Sequence, residues 1–474
     1  MDRADIPFLS ATGLSRLIKT REVSPVEAVE AYLERIAEVD GKLNSYITIC
    51  GDAALEAARD AENAIARGEY LGPMHGIPVA VKDQFNTRAI LTTCGSPILS
   101  DFIPDEDATV ITNLKKAGAI LLGKLNMSEF AMGDAFHHPY GTPHNPWALD
   151  RNPGVSSSGS GAATAAFLCA TSVGEDTGGS IRGPASYCGL VGLRPGQGRV
   201  SRYGMHGSIW SMDTGGPISR TVEDCAMTLG AIAGYDPKDP YTWNAPVPDY
   251  GQALDGSVAG VRVGVIREWV DNDVVEPDVR DAVAKAVALL GDLGASVEEV
   301  SIPLAVHGAA IFTPISHIEG ASVHYRWIRE RLQDYDHNIQ IRQLAGSILP
   351  AQAYYKALKL RSLLRRQVLE MLERVDVLAL PTFPHPATKI PASAGINSKE
   401  ELMAGYFGRR SFTSTSNLSG VPAISVPCGF TSSEPPELPI GLQILGRPLG
   451  EGTLMKVAYA YEQGTHWHDR RPPI

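Results

Sequence analysis

Apolar residues recur along this chain at two different periods. Near the N-terminus the period is helical. Val26, Val29, Leu33 and Ile36 fall on one stripe. Ser24-Pro25-Val26-Glu27 reads as a capping box with proline at the first helical position. An alanine- and charge-rich stretch predicts a second helix over about Ala53 to Arg67. From Gly72 the pattern changes. Ile77 to Val81 is a short β-prone run that ends on Lys82. A helix near Ala108 to Ala117 and a strand at Ala119-Ile120-Leu121-Leu122-Gly123 follow. Strand, helix, strand predicts an α/β sheet.

The same alternation returns in the second half. Val261 to Val265 predicts a strand, Pro277 to Leu293 a helix with apolar Val279, Val283, Ala286 and Leu290, and Ser296 to Val300 a strand. A long helix is expected from about Ala353 to Arg374, followed by the strand Val377 to Pro381. Two more strands are expected at Ala423 to Val426 and Gly441 to Leu445, then a closing helix near Leu454 to Gln463. The Pro/Asp-rich stretch from Asp236 to Asp249 reads as a surface loop. Because β-signals lie on both sides of it, one large domain over 1–474 is expected. Its helical part runs to about 70, its catalytic core over about 71–235, and the remainder completes the sheet. The segment from about 303 to 350 has the least clear pattern and is assigned to capping the site.

Composition narrows the function. With 44% hydrophobic residues in 474, a large core can form. The 42 basic and 53 acidic residues give a net charge of −11, with no basic run. That argues against a nucleic-acid or anionic-membrane partner, both of which need clustered cations. No stretch of about 18 apolar residues occurs, so no membrane span is expected. Met1-Asp2-Arg3-Ala4-Asp5 does not open a secretory signal. The six scattered cysteines, Cys50, Cys94, Cys169, Cys188, Cys225 and Cys428, form no Cys-x-x-Cys pair. They read as reduced thiols in a cytoplasmic protein.

Two Gly/Ser-rich loops carry the candidate chemistry. One reads Gly154-Val155-Ser156-Ser157-Ser158-Gly159-Ser160-Gly161, the other Gly174-Glu175-Asp176-Thr177-Gly178-Gly179-Ser180-Ile181-Arg182. Ser156 and Ser180 stand 24 residues apart. In Gly178-Gly179-Ser180 the glycines let successive N–H groups converge, a nest suited to an acyl oxyanion. One such donor contributes about 3 kcal/mol to the transition state. A serine needs a base, and no motif sets any of the 12 histidines beside Ser180. The Gly-x-Ser-x-Gly elbow is absent at both serines. Lys82 supplies the alternative: burial disfavours its charged form, and a neutral amine accepts a proton. Ser156 can relay between Ser180 and Lys82. His137, His138 and His144 lack an accompanying carboxylate pattern, so no metal is expected. Glycine-rich phosphate cradles are absent as well.

The run from Gly154 to Ala185 resembles the signature of the amidase signature hydrolases, including Asp176, Arg182 and Pro184. The resemblance extends over about 10–465. It takes in Gly76-Ile77-Pro78-Val79-Ala80-Val81-Lys82-Asp83, Thr92-Thr93-Cys94-Gly95-Ser96 and Gly123-Lys124-Leu125-Asn126-Met127-Ser128-Glu129-Phe130. It also takes in Asn417-Leu418-Ser419-Gly420-Val421-Pro422-Ala423 and Pro439-Ile440-Gly441-Leu442-Gln443-Ile444. The resemblance implies a single α/β domain, a mixed sheet of about eleven strands flanked by helices on both sides. It implies a Ser-cisSer-Lys triad: Ser180 as nucleophile, Ser156 as bridge, Lys82 as base. The amides of Thr177, Gly178, Gly179 and Ser180 would form the oxyanion hole, and Asp176 and Arg182 would brace the loop. Phe130, Ala131 and Met132 would line an acyl pocket, or else belong to the ordinary core. No cofactor is implied, and a homodimer is compatible with the family.

Hydrolysis of linear carboxylic amides, anilides or acyl hydrazides is the expected activity. The alternatives are the glutaminase subunit of a tRNA-dependent amidotransferase and a catalytically silent binding relative. Arg361, in Tyr354-Tyr355-Lys356-Ala357-Leu358-Lys359-Leu360-Arg361, resembles the arginine with which that glutaminase holds a substrate carboxylate. Val155, Ser158, Thr164 and Gln84 depart from the usual pattern without removing a catalytic group.

Overall fold

The computed structural model describes residues 2–132, 138–391, 398–401, 403, 411–432 and 436–474. Its apolar runs pair into one mixed sheet. The strands are β1 (Tyr46–Ile49), β2 (Pro78–Lys82), β3 (Ile120–Leu125), β4 (Thr171–Glu175), β5 (Val191–Arg194) and β6 (Gly215–Ser219). They continue as β7 (Arg262–Ile266), β8 (Ser296–Val300), β9 (Val377–Pro381), β10 (Ala423–Phe430) and β11 (Pro439–Gly446). Their order is β1-β3-β2-β4-β6-β5-β10-β11-β9-β7-β8. Strand β2 runs parallel to both β3 and β4, and β7 parallel to β8 and β9. Helices flank the sheet.

Burial follows from position in that order. Strands β2, β4, β5, β6, β9 and β11 are buried along their whole length, as expected of strands covered on both faces. The edge strand β8 leaves Ser296 to Glu299 exposed, and its two glutamates discourage pairing with another chain. The Asp236–Asp249 stretch does not divide the sheet, because β5 pairs with β10 across it. The capping box forms in full: Glu27 N–H donates to Ser24 Oγ at 3.1 Å, and Ser24 N–H to Glu27 Oε2 at 2.8 Å. Such a cap is worth about 1 kcal/mol.

Four strands escape the apolar pattern: β1, β4, β5 and β6. Strand β4 is Thr-Ser-Val-Gly-Glu and β6 is Gly-Gly-Pro-Ile-Ser. Their burial comes from neighbours on either side, so they carry no hydrophobic run of their own. The obscure segment at 303–350 is helical, with helices Gly308–Val323, Tyr325–Glu330 and His337–Ile348. No helix among the described residues is long and apolar enough to cross a membrane.

Candidate active site

Lys82 is the last residue of β2, at the carboxyl end of a parallel trio with β3 and β4. Loops at such ends converge, which is where α/β sheets build sites. Ser156 lies just before the helix Ser158–Ala165, and Ser180 just before the helix Arg182–Cys188. Every residue of both helices is buried, and the first of them contains only Ser, Gly, Ala and Thr. A bulky residue would not fit. A Cβ on Gly159 would sit 2.5 Å from the Asn126 and Ser45 carbonyl oxygens.

The three predicted groups come together. Lys82 Nζ donates to Ser156 Oγ at 2.8 Å. The Ser156 backbone N–H donates to Ser180 Oγ at 3.3 Å. The two contacts share Ser156 without forming one hydrogen-bonded string: its hydroxyl makes the first and its backbone amide the second. No hydrogen bond joins the two hydroxyls among the described residues. Lys82 and Ser156 are sealed from solvent, while Ser180 keeps 6% of its surface open. Burial depresses the Lys82 pKa, against the opposing pull of the Glu175 carboxylate.

The Gly-Gly-Ser loop departs from expectation at one donor. The N–H groups of Thr177, Gly178 and Ser180 meet no acceptor among the described residues. That of Gly179 is taken by Asp176 Oδ1 at 2.9 Å, so it is a brace for the loop and not a free donor. Gly179 must be glycine for another reason. Its φ is +117°, and a Cβ there would lie 2.7 Å from Thr413 Oγ1. Thr413 itself donates to the Gly178 carbonyl at 2.6 Å. Phe312, from the capping helix Gly308–Val323, sets its ring 3.0 Å from where a Gly178 Cβ would be.

Asp176 and Arg182 pair as the resemblance implies. Arg182 Nε and Nη2 each lie 3.0 Å from the carboxylate, and Arg194 lies 3.6 Å away. Asn417 Nδ2 donates to it at 2.7 Å and Ile181 N–H at 3.2 Å. Burial alone would push the carboxyl up. Arg182 and Arg194 overcome that and hold it well below the usual range.

Two carboxylates were not expected. Glu175 Oε2 lies 3.0 Å from Lys82 Nζ. Thr177 Oγ1 lies 2.5 Å from Glu175 Oε1 and 2.5 Å from Asp213 Oδ1. No sequence signal singled out Glu175, which ends β4, a strand without an apolar run. A second buried lysine, Lys124, donates to the Phe85 carbonyl at 2.7 Å and Thr92 Oγ1 at 2.8 Å, and lies 3.3 Å from Asp83. It ties the Thr92-to-Ser96 loop to the end of β2.

The other expected positions make contacts of their own within the protein. Phe130 packs on His324, Trp327 and Tyr335, with ring centroids 4.5, 5.2 and 5.9 Å apart. Met132 joins the same apolar cluster, and Ala131 lies between them with φ +57°. Their contacts anchor the capping helices, which in turn carry Phe312. Arg361 is fully engaged: Nε donates to the Leu418 carbonyl, Nη1 to Ser211 Oγ and Nη2 to the Ser211 carbonyl, each at 2.9 Å. His144 Nδ1 is 2.6 Å from the Leu149 carbonyl oxygen. Phe136 and His137 lie outside the described residues.

Comparison with known proteins places this constellation. The Amidase family model matches residues 27–455. The chain is 42% identical to a glutamyl-tRNA(Gln) amidotransferase subunit of Moorella thermoacetica, covering 99% of each. A solved structure described as a vestigial protein complex, revealing the evolutionary origins of an s-triazine catabolic enzyme, aligns with TM-score 0.89. It is 33% identical and covers 96% of this chain and 98% of that one. The peptide amidase of Stenotrophomonas maltophilia aligns with TM-score 0.83 at 30% identity, covering 98% of each chain. The chain therefore belongs to the amidase signature family, whose members are amidohydrolases acting on C–N bonds.

Proposed function

We propose that the protein hydrolyses linear carboxylic amides through an acyl-enzyme on Ser180. Lys82, neutral in its buried site, takes a proton from Ser156 Oγ as Ser156 takes the proton of Ser180. The hydroxyl-to-hydroxyl link closes in the substrate complex, as catalytic hydrogen bonds that are long in the free enzyme tighten there. Ser180 Oγ attacks the carbonyl carbon. The oxyanion faces the free N–H groups of Thr177, Gly178 and Ser180. The C–N bond breaks as the nitrogen receives the proton back through Ser156. Water then repeats the sequence on the acyl-enzyme and releases the acid. The observation that carries this reading is the 2.8 Å contact of Lys82 with Ser156, whose N–H meets Ser180 Oγ at 3.3 Å, beneath unengaged amides.

A second reading has its own support. The identity to the amidotransferase polypeptide runs over 99% of both chains, which favours glutaminase work beside a partner protein. Against it, the Arg361 guanidinium already has three acceptors within the protein. The test is turnover of a panel of amides, anilides, esters, hydrazides and glutamine by the chain alone, with wild type and Ser180→Ala. Partner-free hydrolysis of simple amides, abolished in Ser180→Ala, is the expected result. Turnover that survives Ser180→Ala would overturn the mechanism. Activity only on glutamine with a partner present would favour the amidotransferase.

A further inference from the structure

We propose that Glu175 is the positioning residue for Lys82, and that with Thr177 and Asp213 it forms a buried chain holding one shared proton behind the amine. The proposal rests on the reading of Lys82 as the base. It begins from hydrogen counting. Thr177 has one hydroxyl hydrogen, yet its oxygen lies 2.5 Å from a carboxyl oxygen of Glu175 and 2.5 Å from one of Asp213. It can donate to only one of them, so the other must donate to it. Glu175 lies 3.0 Å from the Lys82 amine, whereas Asp213 has no ion-pair partner among the described residues, so Asp213 is the group that holds the proton; burial, and then the charge of Glu175, raise its pKa to about 7. Its other oxygen accepts the N–H groups of Ser208 at 2.8 Å and Ile209 at 2.9 Å. Asp213 thus donates to Thr177, Thr177 to Glu175, and Glu175 accepts from Lys82 at 3.0 Å.

The surrounding charges leave Glu175 as the counter-ion. Asp176 also faces Lys82, but Arg182 and Arg194 neutralise it. Arg194, whose charge also acts on Glu175 and Asp213, is bonded to the Asp176 and Met212 carbonyls. Lys82 and Glu175 are 0% and 1% exposed, so their attraction is little screened. When the amine takes the Ser156 proton, the new positive charge on Nζ forms against a carboxylate already in place. No proton need pass to Glu175. This is the service a buried carboxylate gives to a general base: it fixes orientation and stabilises the cation. At its outer end Asp213 borders a cavity of about 400 Å³ that also contains Arg202, Trp210 and Tyr241 in its wall.

The test is the pH dependence of fluorophosphonate labelling at Ser180 in the intact protein. Glu175→Gln removes the counter-charge, so Lys82 loses its proton more readily. Its acid limb should move to lower pH by at least about one unit, with a slower plateau. Thr177→Val keeps the backbone amide but withdraws the hydroxyl that donates to Glu175. The carboxylate then draws more strongly on Lys82, and the limb should move up. Opposite displacements are beyond what a space-filling role produces. Slower labelling with both limbs unmoved would overturn the proposal, and Thr177→Val alone decides it should Glu175→Gln not fold. Lys82→Ala separates the two levels: if it labels like wild type, the underlying assignment of the base fails instead.

Discussion

The Gly179 amide points at Asp176 and not at the space above Ser180, with N–H to Oδ1 at 2.9 Å. The shape of the Gly-Gly-Ser loop is therefore set by a buried ion pair. Asp176 holds the loop by two amides, and Arg182 holds Asp176. Removing one partner of a buried pair costs about 3–5 kcal/mol, because the other charge is left unanswered. Arg182→Met should lower the unfolding free energy by about that amount in denaturant titrations. Asp176→Asn combined with it should recover part of the loss. A single variant as stable as wild type would show that Arg194 and Asn417 suffice.

Gly179→Ala should disable the site by geometry. A φ of +117° is closed to alanine, and the added carbon would meet Thr413 Oγ1 at 2.7 Å. The expected result is loss of Ser180 labelling by at least about a hundredfold, the scale of one misplaced reacting group. Adding Thr413→Ala removes the collision but not the backbone strain, so recovery should be partial. Full recovery would mean that space, not φ, demands glycine.

Lys82→Ala should discriminate between leaving groups. An amide nitrogen must be protonated before it departs, whereas an ester oxygen leaves more readily. Loss of a general acid–base group typically costs about 10²–10⁴-fold. Amide turnover should fall over that range, with ester turnover of the same acyl group falling less. Equal losses on both substrates would locate the role of Lys82 in attack alone.

The sequence was most legible where side chains repeat and least where burial is imposed by neighbours. The helix after Ser24, the strands at Val377–Pro381 and Ser296–Val300, and Lys82 at the end of its strand all announce themselves by period or contrast. Strands β4 and β6 do not, since small and polar residues fill them and the helices Ser158–Ala165 and Val222–Ile232 packed against them supply the cover. Lys82, Ser156 and Ser180 could be singled out because they sit in unusual local runs. Glu175 and Asp213 could not, because a carboxylate in sequence gives no sign of the lysine or hydroxyl it will meet. Phe130 could be read as pocket lining, from the resemblance, or as ordinary core, and its ring stacks on Trp327.

That packing has a measurable consequence. Phe130 is 2% exposed within its aromatic cluster, and Phe→Ala in such a place costs about 3–5 kcal/mol. Phe130→Ala should therefore appear chiefly as lost thermal stability. Phe312 lies over Gly178, so Phe312→Ala should change KM for bulky acyl groups with a smaller stability loss. The reverse pattern would restore Phe130 to the pocket.

The last prediction concerns pH and stability. Asp213 has its pKa raised from 3.8 to about 7 in the folded protein, chiefly by burial. Between those values the native chain binds a proton that the unfolded chain has already released. Stability from this group is therefore complete below about 4 and is lost as pH rises toward 7. Asp213→Asn keeps the shape and a donor for Thr177 but cannot ionise. The variant should gain on wild type across that window, by about 2–4 °C in Tm at pH 8 relative to pH 4. Glu129 and Glu462, raised to about 7 and about 8 by burial, tilt both proteins alike and cancel in the difference. Parallel Tm curves for the two proteins would mean that Asp213 is ionised throughout. The proton in the Glu175–Thr177–Asp213 chain would then have to sit elsewhere.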